Sequence, residues 1–387
     1  MKIVYVIDTL ASKGGAERIL CDKMNYMAEH FGYDVYVVTC YQHPHIAPNV
    51  YYLSDKVTQI DLCIRYYRQY TFRYPQRLWV KYSAYRKLVH DLTEVVQRID
   101  PDILVGVGYF NADVITSLKC RAVKIVESHE ARIYTLTNKG LARNFLSRAF
   151  MKVYRLSYLR RVERQADVVV TLTQGDAREW KKAKRVEVIP NFTVMPVIKL
   201  STCENKRVVA VGRLEWQKGF DRLIEAWTIV YSRYPDWHLD IFGSGALEHD
   251  LKCRIDACGL DGIVAIHPFV TDINVEYSEG SIFALSSRYE GFGLVLLEAM
   301  KSGLPCVTFD CPFGPGDIVA DNQNGFVVKN NDITTFADKL CQLIEDINLR
   351  KRFSQASVER ARLYDVEKIM NRWKTLYEGC LAEHRKD

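Results

Sequence analysis

The sequence of 387 residues has no long hydrophobic run, and no stretch reaches the roughly 18 apolar residues that a membrane-spanning helix needs. The N-terminus, MKIVYVIDTL, is too short and too polar for a secretory signal peptide. The 11 cysteines form no CxxC pair and no regular cysteine–histidine spacing, which excludes the common zinc-finger patterns. Cysteines scattered in this way are typical of free thiols in a reducing compartment, so we expect a cytoplasmic protein.

The first β-rich run, KIVYVI, is not followed by GxGxxG, the fingerprint of dinucleotide-binding Rossmann enzymes. The later segment FGSGALEH, residues 242–249, matches that fingerprint only in part. A nicotinamide-dependent enzyme is therefore a disfavoured alternative.

Acidic residues are absent from residues 64–89, where seven lysines and arginines alternate with tyrosines, Phe72 and Trp79. Residues 139–164 form a second basic stretch with Glu163 as its single acid. Residues 1–195 carry 30 basic against 19 acidic side chains, whereas residues 196–387 carry 23 against 28. This asymmetry indicates an anionic partner for the first half of the chain.

Basic residues mixed with interfacial aromatics suit an anionic bilayer surface, so we predict peripheral association with the inner face of the plasma membrane. An alternative is that the basic residues are the solvated side of a helix whose core face carries Leu78, Tyr82, Val89 and Leu92. Nucleic acid is a less favoured partner because no recognition motif accompanies the charge. The basic residues assigned to the membrane and acceptor side are Arg65, Arg68, Arg73, Arg77 and Lys81.

Strand and helix patterns alternate along the whole chain, which predicts parallel βαβ units. The segment IPNFTVMPVIKLSTCENK has two prolines and no periodicity, so we interpret it as a linker. The length also favours two domains. We predict an α/β protein with two doubly wound domains, residues 1–192 and 193–365, facing each other across a cleft.

Polar residues follow several predicted strands, at the edge where open α/β sheets bind ligands. Gly14-Gly15 follows KIVYVI, and His129 follows VKIVES. Arg213 ends RVVAVG, with Lys218 shortly after it, and Glu290 follows SIFALSS. Each could be an ordinary turn or surface residue when taken singly. Their joint placement on one predicted edge indicates a ligand site.

The residue types of this edge fit a diphosphate ligand. Arg213 supplies a planar guanidinium that can donate two hydrogen bonds at once, and Lys218 supplies a compact ammonium. The backbone amides of GFGLV, at a predicted helix start, add neutral donors. Glu298 lies inside the apolar run LVLLEAM, where a carboxylate needs either a core partner or a ligand hydroxyl. A ribose diol would meet that need.

The motifs GGAER, VGRLEWQKGFDRLIEA, IPNF and EGFGLVLLE together resemble glycosyltransferase family 4, the retaining GT-B enzymes. The resemblance covers nearly the whole chain and implies two Rossmann-like domains, with a C-terminal helix of about residues 366–387 packing on the first. It also implies a donor site. The implied donor-binding residues are Gly15, Arg213, Lys218, Glu290, Phe292, Gly293, Leu294 and Glu298, and the implied catalytic residues are His129, Glu290, Arg213 and Lys218.

The resemblance further implies transfer of a hexosyl or N-acetylhexosaminyl unit from a UDP-sugar, without a cofactor or metal. The loop DCPFGPGDIV is similar to members that build capsule, lipopolysaccharide or lipid-linked oligosaccharide, which implies a glycan or lipid-linked acceptor. The only DxD string, Asp100-Pro101-Asp102, precedes a strand, so we interpret it as a helix stop. The alternatives are a GT-B sugar-nucleotide epimerase and a non-catalytic nucleotide-sugar-binding protein.

Overall fold

The chain divides into two compact units in the computed structural model. The N-terminal unit comprises residues 1–172, 176–189 and 369–387, and the C-terminal unit comprises residues 173–175 and 190–368. The structure describes all residues except 13, 43–47, 65–70, 74–75, 130–131, 133–155, 271 and 385–387, and the side chains of residues 78, 109 and 110 are also not described.

The N-terminal unit contains a parallel seven-stranded sheet in the order β3-β2-β1-β4-β5-β6-β7. The central strands β1, β4, β5 and β6 are rich in valine and isoleucine and largely buried on both faces, as expected inside a parallel sheet, whereas the edge strands β3 and β7 are mostly half-buried. The order reverses between β1 and β4, so the sheet is doubly wound. The strands are β1 Lys2–Ile7, β2 Asp34–Thr39, β3 Val57–Asp61, β4 Ile103–Val107, β5 Val123–Ser128, β6 Val168–Thr171 and β7 Val186–Val188.

Helices cover the faces of this sheet. The described ones are Gly15–His30, Gln76–Ile99, Tyr109–Ser117, residues 156–165 and, from residue 369 onward, Val366–His384. The short helix Gln174–Ala177 lies where the chain passes from one unit to the other.

The C-terminal unit contains a parallel six-stranded sheet in the order β10-β9-β8-β11-β12-β13, which reverses between β8 and β11. The strands are β8 Arg207–Val211, β9 His238–Phe242, β10 Val264–His267, β11 Ile282–Leu285, β12 Cys306–Asp310 and β13 Gly325–Lys329. The α-helices are Phe220–Arg233, Glu248–Ala257, Asn274–Glu279, Leu294–Lys301, Pro315–Ile318, Ile333–Glu345 and Ile347–Ala361. Trp227, Phe309, Phe326 and Phe336 lie in its core.

The long helix Gln76–Ile99 corrects one prediction. Its buried side is formed by Leu88, Leu92, Val95, Val96 and Ile99. Tyr82, predicted on the core face, is 61% exposed, and Trp79 is 72% exposed. Among the described side chains of this helix, Ala84 and Tyr85 are the first that pack against the core, and the rings of Trp79 and Tyr82 before them face solvent.

The segment between this helix and β4 confirms the predicted helix stop. The helix ends at Ile99, and Asp100 takes a positive φ of 48°. Asp102 Oδ2 accepts a hydrogen bond from the backbone amide of Lys2 (2.7 Å), which joins the starts of two adjacent strands. Among the described helices, none combines the length and the apolar character needed to cross a membrane.

Candidate functional site

The reversal of strand order between β8 and β11 places two loops side by side in the C-terminal unit. One loop follows β8 and carries Arg213 and the 3-10 turn Trp216–Lys218. The other follows β11 and runs from Ser286 to Gly293, where the helix Leu294–Lys301 begins. Ligands of open α/β sheets bind at this kind of switch point, beyond the carboxyl ends of the strands.

Lys218 and Glu290 meet between these loops. Lys218 Nζ donates to Glu290 Oε1 at 2.7 Å, and the Ser287 hydroxyl donates to the same oxygen at 2.6 Å. Both side chains are largely buried, at 14% and 7% exposure. A Cβ atom on Gly212 would lie 3.2 Å from the Lys218 side chain, so the glycine lets the lysine pass close to the strand end.

Arg213 lies on the same loop as Lys218 but at the surface. Its guanidinium is 53% exposed and reaches Glu215 at 3.5 Å. It also donates to Gln217 Oε1 at 3.5 Å. An exposed cation on the loop that also carries the buried Lys218 gives the site a positive rim.

Gly293 shapes the start of the helix Leu294–Lys301. Its φ of +98° favours glycine and turns the chain so that the first helical amides face away from the helix. Phe292 is buried and packs edge-to-face on Tyr364 at 5.8 Å. Gly314 approaches so closely that a Cβ atom there would lie 2.2 Å from the Phe292 carbonyl oxygen. The loop that follows β12 thus packs against the glycine-rich turn and holds it in place.

Glu298 is 2% exposed inside this helix. Its Oε2 accepts a hydrogen bond from the Tyr277 hydroxyl at 3.3 Å, so one lone pair of the buried carboxylate has a core partner. The carboxylate also lies near Lys301, whose pKa is lowered by burial, an effect that the charges of Asp365 and Glu298 oppose. The contact with ribose stays a prediction.

Two arginines that the sequence analysis did not select hold the two loops together. Arg222 is 5% exposed, donates to the Ser286 carbonyl oxygen at 3.0 Å and lies 4.7 Å from the Phe309 ring. Arg288 donates to both carboxylate oxygens of Asp221, at 2.8 and 2.6 Å, and to the Trp216 carbonyl oxygen at 2.7 Å. An arginine inside the apolar helix pattern FDRLIEAW is the signal that could have identified Arg222.

The remaining predicted site residues lie in the N-terminal unit. Gly15 is the first residue of the helix Gly15–His30, and a Cβ atom on Gly14 would lie 2.0 Å from Glu17 Oε2, so Gly14 permits a close approach of that carboxylate. His129 follows β5, and its Nε2 lies 3.0 Å from Glu127 Oε2.

The predicted residues therefore fall into two groups. Arg213, Lys218, Glu290, Phe292, Gly293, Leu294 and Glu298 all lie on the two loops and the helix at the switch point of the C-terminal unit, whereas Gly15 and His129 follow strands of the N-terminal unit. Of the basic residues, Arg65 and Arg68 lie outside the described residues; Arg73 and Lys81 are exposed and Arg77 is half-buried. In the described part of the chain, no group of three or more His, Cys, Asp or Glu side chains could hold a metal ion.

Two parallel-sheet α/β units, each with its own switch point, define the GT-B class of folds, and solved glycosyltransferase structures share this architecture with the chain. TarM of S. aureus, solved with Fondaparinux, alpha-GlcNAc-glycerol and UDP, matches with a TM-score of 0.76 at 15% identity, covering 97% of this chain and 99% of that one.

Family models match both halves of the chain: "Glycosyltransferase Family 4" over residues 13–193 and "Glycosyl transferases group 1" over residues 197–360. An uncharacterized glycosyltransferase of Haemophilus influenzae is 31% identical over 382 residues, which are 96% of this chain and 99% of the relative. The amylovoran biosynthesis glycosyltransferase AmsD of Erwinia amylovora is 34% identical over 54% of this chain and 62% of its own length. The chain belongs to glycosyltransferase family 4, as the sequence motifs predicted.

Proposed function

We propose that this glycosyltransferase moves a hexosyl or N-acetylhexosaminyl unit from a UDP-sugar, with retention of anomeric configuration, to a glycan or lipid-linked glycan acceptor of the cell envelope. The observation that carries the proposal is the cluster at the β8/β11 switch point, where Lys218, Glu290 and the start of the helix Leu294–Lys301 lie within two adjacent loops. The named relatives support the class of acceptor, since AmsD acts in amylovoran biosynthesis. TarM, solved with UDP, supports the nucleotide.

The chemistry asks the protein to stabilise negative charge on the departing diphosphate. Lys218 and Arg213 supply two cations, and the amides at the start of the helix Leu294–Lys301 supply neutral donors. These groups would do this without a metal ion, so we expect turnover to survive chelation by EDTA. Lys218 forms an ion pair with Glu290. A bound diphosphate would share the Lys218 cation, and Glu290 would then accept a hydrogen bond from a hydroxyl of the transferred sugar.

His129 of the N-terminal unit would act on the sugar beside the anomeric carbon. Its imidazole is held by a buried carboxylate rather than left in solvent, since Glu127 is 3% exposed. An orienting carboxylate behind a histidine is a common arrangement in sites that handle protons or hydroxyls.

Acceptor-dependent release of UDP tests the proposal. The protein is incubated with a panel of UDP-sugars, with and without lipid-diphosphate glycan acceptors, and the products are identified by mass spectrometry and their anomeric configuration by NMR. We expect UDP release only when donor and acceptor are both present, and a product with the donor's anomeric configuration.

Two other outcomes would contradict it. Conversion of one UDP-sugar into another without an acceptor would identify a sugar-nucleotide epimerase. Binding of UDP-sugars without turnover across the panel would identify a non-catalytic nucleotide-sugar-binding protein.

We also propose that the start of the helix Gln76–Ile99 binds the anionic inner face of the plasma membrane. Trp79 and Tyr82 are exposed, and the exposed cations Lys81, Arg86 and Lys87 flank them. Because Trp79 and Tyr82 are exposed, they do not form a core face of the helix. This weakens the alternative that the basic residues are only the solvated side of a packed helix. A lipid-linked acceptor gives the enzyme a reason to bind there.

A further inference from the structure

A buried lysine–glutamate pair lies directly behind His129 in the N-terminal unit. Lys23 and Glu127 are each 3% exposed, and Lys23 Nζ donates to both carboxylate oxygens of Glu127. Glu127 Oε2 is also the atom that lies 3.0 Å from His129 Nε2. Hydrogen bonds thus connect Lys23, Glu127 and His129 into one buried polar network.

The local sequence explains why these residues meet. Glu127 is in β5 and His129 is two residues further on, so the period of two along a strand places both on the same face. Lys23 is in the helix Gly15–His30, in the buried stripe that contains Ile19, Leu20 and Met27. A lysine in the apolar stripe of a helix is the sequence signal for a buried ion pair at this position.

The C-terminal helix covers the pair. The Lys23 ammonium lies 4.0 Å from the Trp373 ring and 5.0 Å from the Tyr5 ring. Tyr5 and Tyr377 share a hydrogen bond of 2.7 Å beside it. The aromatic rings exclude water from the ion pair while offering the cation their π faces, which is favourable for a desolvated ammonium.

The ion pair sets the hydrogen-bonding role of Glu127. Burial alone would raise the pKa of Glu127, but the charge of Lys23 and the hydrogen bonds from His129 and Lys23 outweigh it, and its pKa is lowered. An ionised carboxylate has only acceptor sites. His129 Nε2 must therefore carry the hydrogen that Glu127 accepts, and in the tautomer with that hydrogen on Nε2 the lone pair of the ring is on Nδ1.

We propose that Lys23 and Glu127 are positioning residues that fix the ring orientation and tautomer of His129, so that Nδ1 accepts a hydrogen bond from a hydroxyl of the donor sugar. The contact with the donor sugar rests on the proposed function, whereas the fixed orientation and tautomer of the ring do not. Lys23 keeps Glu127 ionised, Glu127 holds the Nε2 hydrogen, and Trp373 on the C-terminal helix keeps water from both.

Two matched double variants test this proposal. Lys23→Met/Glu127→Gln and Lys23→Met/Glu127→Leu both remove the ion pair, which avoids an unpaired buried charge. They differ only in whether residue 127 still offers an oxygen to His129. Tyr377→Phe is the control, because it removes a buried hydroxyl beside the pair without removing a bond to His129.

The first measurement is NMR of histidine-labelled protein without substrate, with the resonance assigned through His129→Gln. A hydrogen-bonded ring N–H gives a downfield signal that exchanges slowly with water. We expect the Nε2–H signal in the wild type and in Tyr377→Phe, a shifted signal in Lys23→Met/Glu127→Gln, and none in Lys23→Met/Glu127→Leu. A signal that persists in the leucine variant overturns the proposal.

The second measurement is steady-state kinetics with the active UDP-sugar. We expect kcat of the leucine variant to fall about tenfold to a hundredfold, the range seen when orienting partners are lost, with KM for the donor within about twofold. The glutamine variant should keep more of the activity. Equal kcat values for the two double variants would show a purely structural pair.

Two results separate this proposal from its premises. If the leucine variant does not fold, the glutamine variant carries the test: its resonance and kcat must change relative to Tyr377→Phe, and unchanged values overturn the proposal. If the wild-type protein shows the Nε2–H signal but turns over no UDP-sugar, the fixed tautomer is confirmed and the proposed function is wrong.

Discussion

Glu298 shows how one residue combines core packing with a predicted ligand contact. Its carboxylate is buried in an apolar helix, and the Tyr277 hydroxyl donates to one of its oxygens. A carboxylate offers about four acceptor sites, and the Tyr277 hydroxyl takes one of them. This makes the role of its charge a question that a conservative substitution can answer.

Glu298→Gln should weaken UDP binding by about fivefold to tenfold while the fold stays intact. Hydrogen bonds to a charged acceptor are worth about 1 kcal/mol more than those to a neutral one, and glutamine keeps the side-chain volume. Isothermal titration with UDP measures the effect. Tyr277→Phe is the control, because it removes the core hydroxyl and keeps the carboxylate. Equal UDP affinity in all three proteins would show that Glu298 serves only the core.

Lys218→Ala should lower kcat about a hundredfold with every donor, because it removes a largely buried cation from the proposed diphosphate site. Arg213→Ala should cost less, about tenfold, because a half-exposed guanidinium is screened by solvent. Turnover with several UDP-sugars measures both. Arg233→Ala, which removes an arginine of similar exposure from the pair with Asp338, should leave turnover unchanged. Full activity in Lys218→Ala would mean that the anion site is wrongly assigned.

At the scale of elements, Arg288 ties the 3-10 turn Trp216–Lys218 to the loop after β11. Its guanidinium holds Asp221 in two hydrogen bonds, donates to the Trp216 carbonyl oxygen and stacks 4.7 Å from the Trp216 ring. Its backbone amide donates to Gln217 at 2.8 Å. Arg288 thus holds the turn that carries Lys218 through both its side chain and its backbone amide.

Arg288→Leu should destabilise the protein by about 2 kcal/mol at neutral pH, as expected for a bidentate, partly buried pair. Burial would raise the pKa of Asp221, but hydrogen bonds and charge from Arg288 outweigh it and lower that pKa. A group with a lowered pKa stabilises the fold above its unfolded pKa, and that contribution is lost as pH falls through the folded value. The difference in free energy of unfolding between the wild type and Arg288→Leu, called the stability gap below, should therefore decrease as the pH falls.

Urea unfolding of wild type and Arg288→Leu between pH 7 and pH 3 measures the stability gap. Arg233→Leu is the matched control, and its exposed pair should contribute less than about 1 kcal/mol at any pH. A stability gap that stays constant down to pH 3 would show that Arg288 acts through packing on Trp216 and not through Asp221.

At the scale of the whole molecule, the uneven charge and the exposed rings of the helix Gln76–Ile99 lead to a prediction about membrane binding. About 1 kcal/mol per basic residue near an anionic surface is enough for a few such residues to hold the protein reversibly. We expect the protein to sediment with anionic but not with zwitterionic vesicles, and to be released by added salt.

Reversal of Arg68, Arg73 and Arg77 to Glu should abolish sedimentation while activity on a soluble acceptor analogue survives. The matched control reverses Lys181, Lys182 and Lys184, which are exposed in the same unit, so that net charge changes equally. Trp79→Ser/Tyr82→Ser should weaken binding in a salt-independent way. Equal loss in the lysine control would mean that net charge acts without a defined surface.

The sequence by itself determined the alternation of strands and helices and the family, and it predicted the residues of the candidate donor site, because periodicity and glycine-rich turns are local properties. The strand β3 carries no clear sequence signal, since VTQID is short and mostly polar. Periodicity placed Tyr82 on a core face, since it shows which side of a helix is apolar but not where the core ends. Only the tertiary structure decided which side chains meet. Lys218 reaches Glu290, and Lys23 reaches Glu127, across separations of 72 and 104 residues. Such pairs follow from strand order, and strand order follows from the packing of the whole unit.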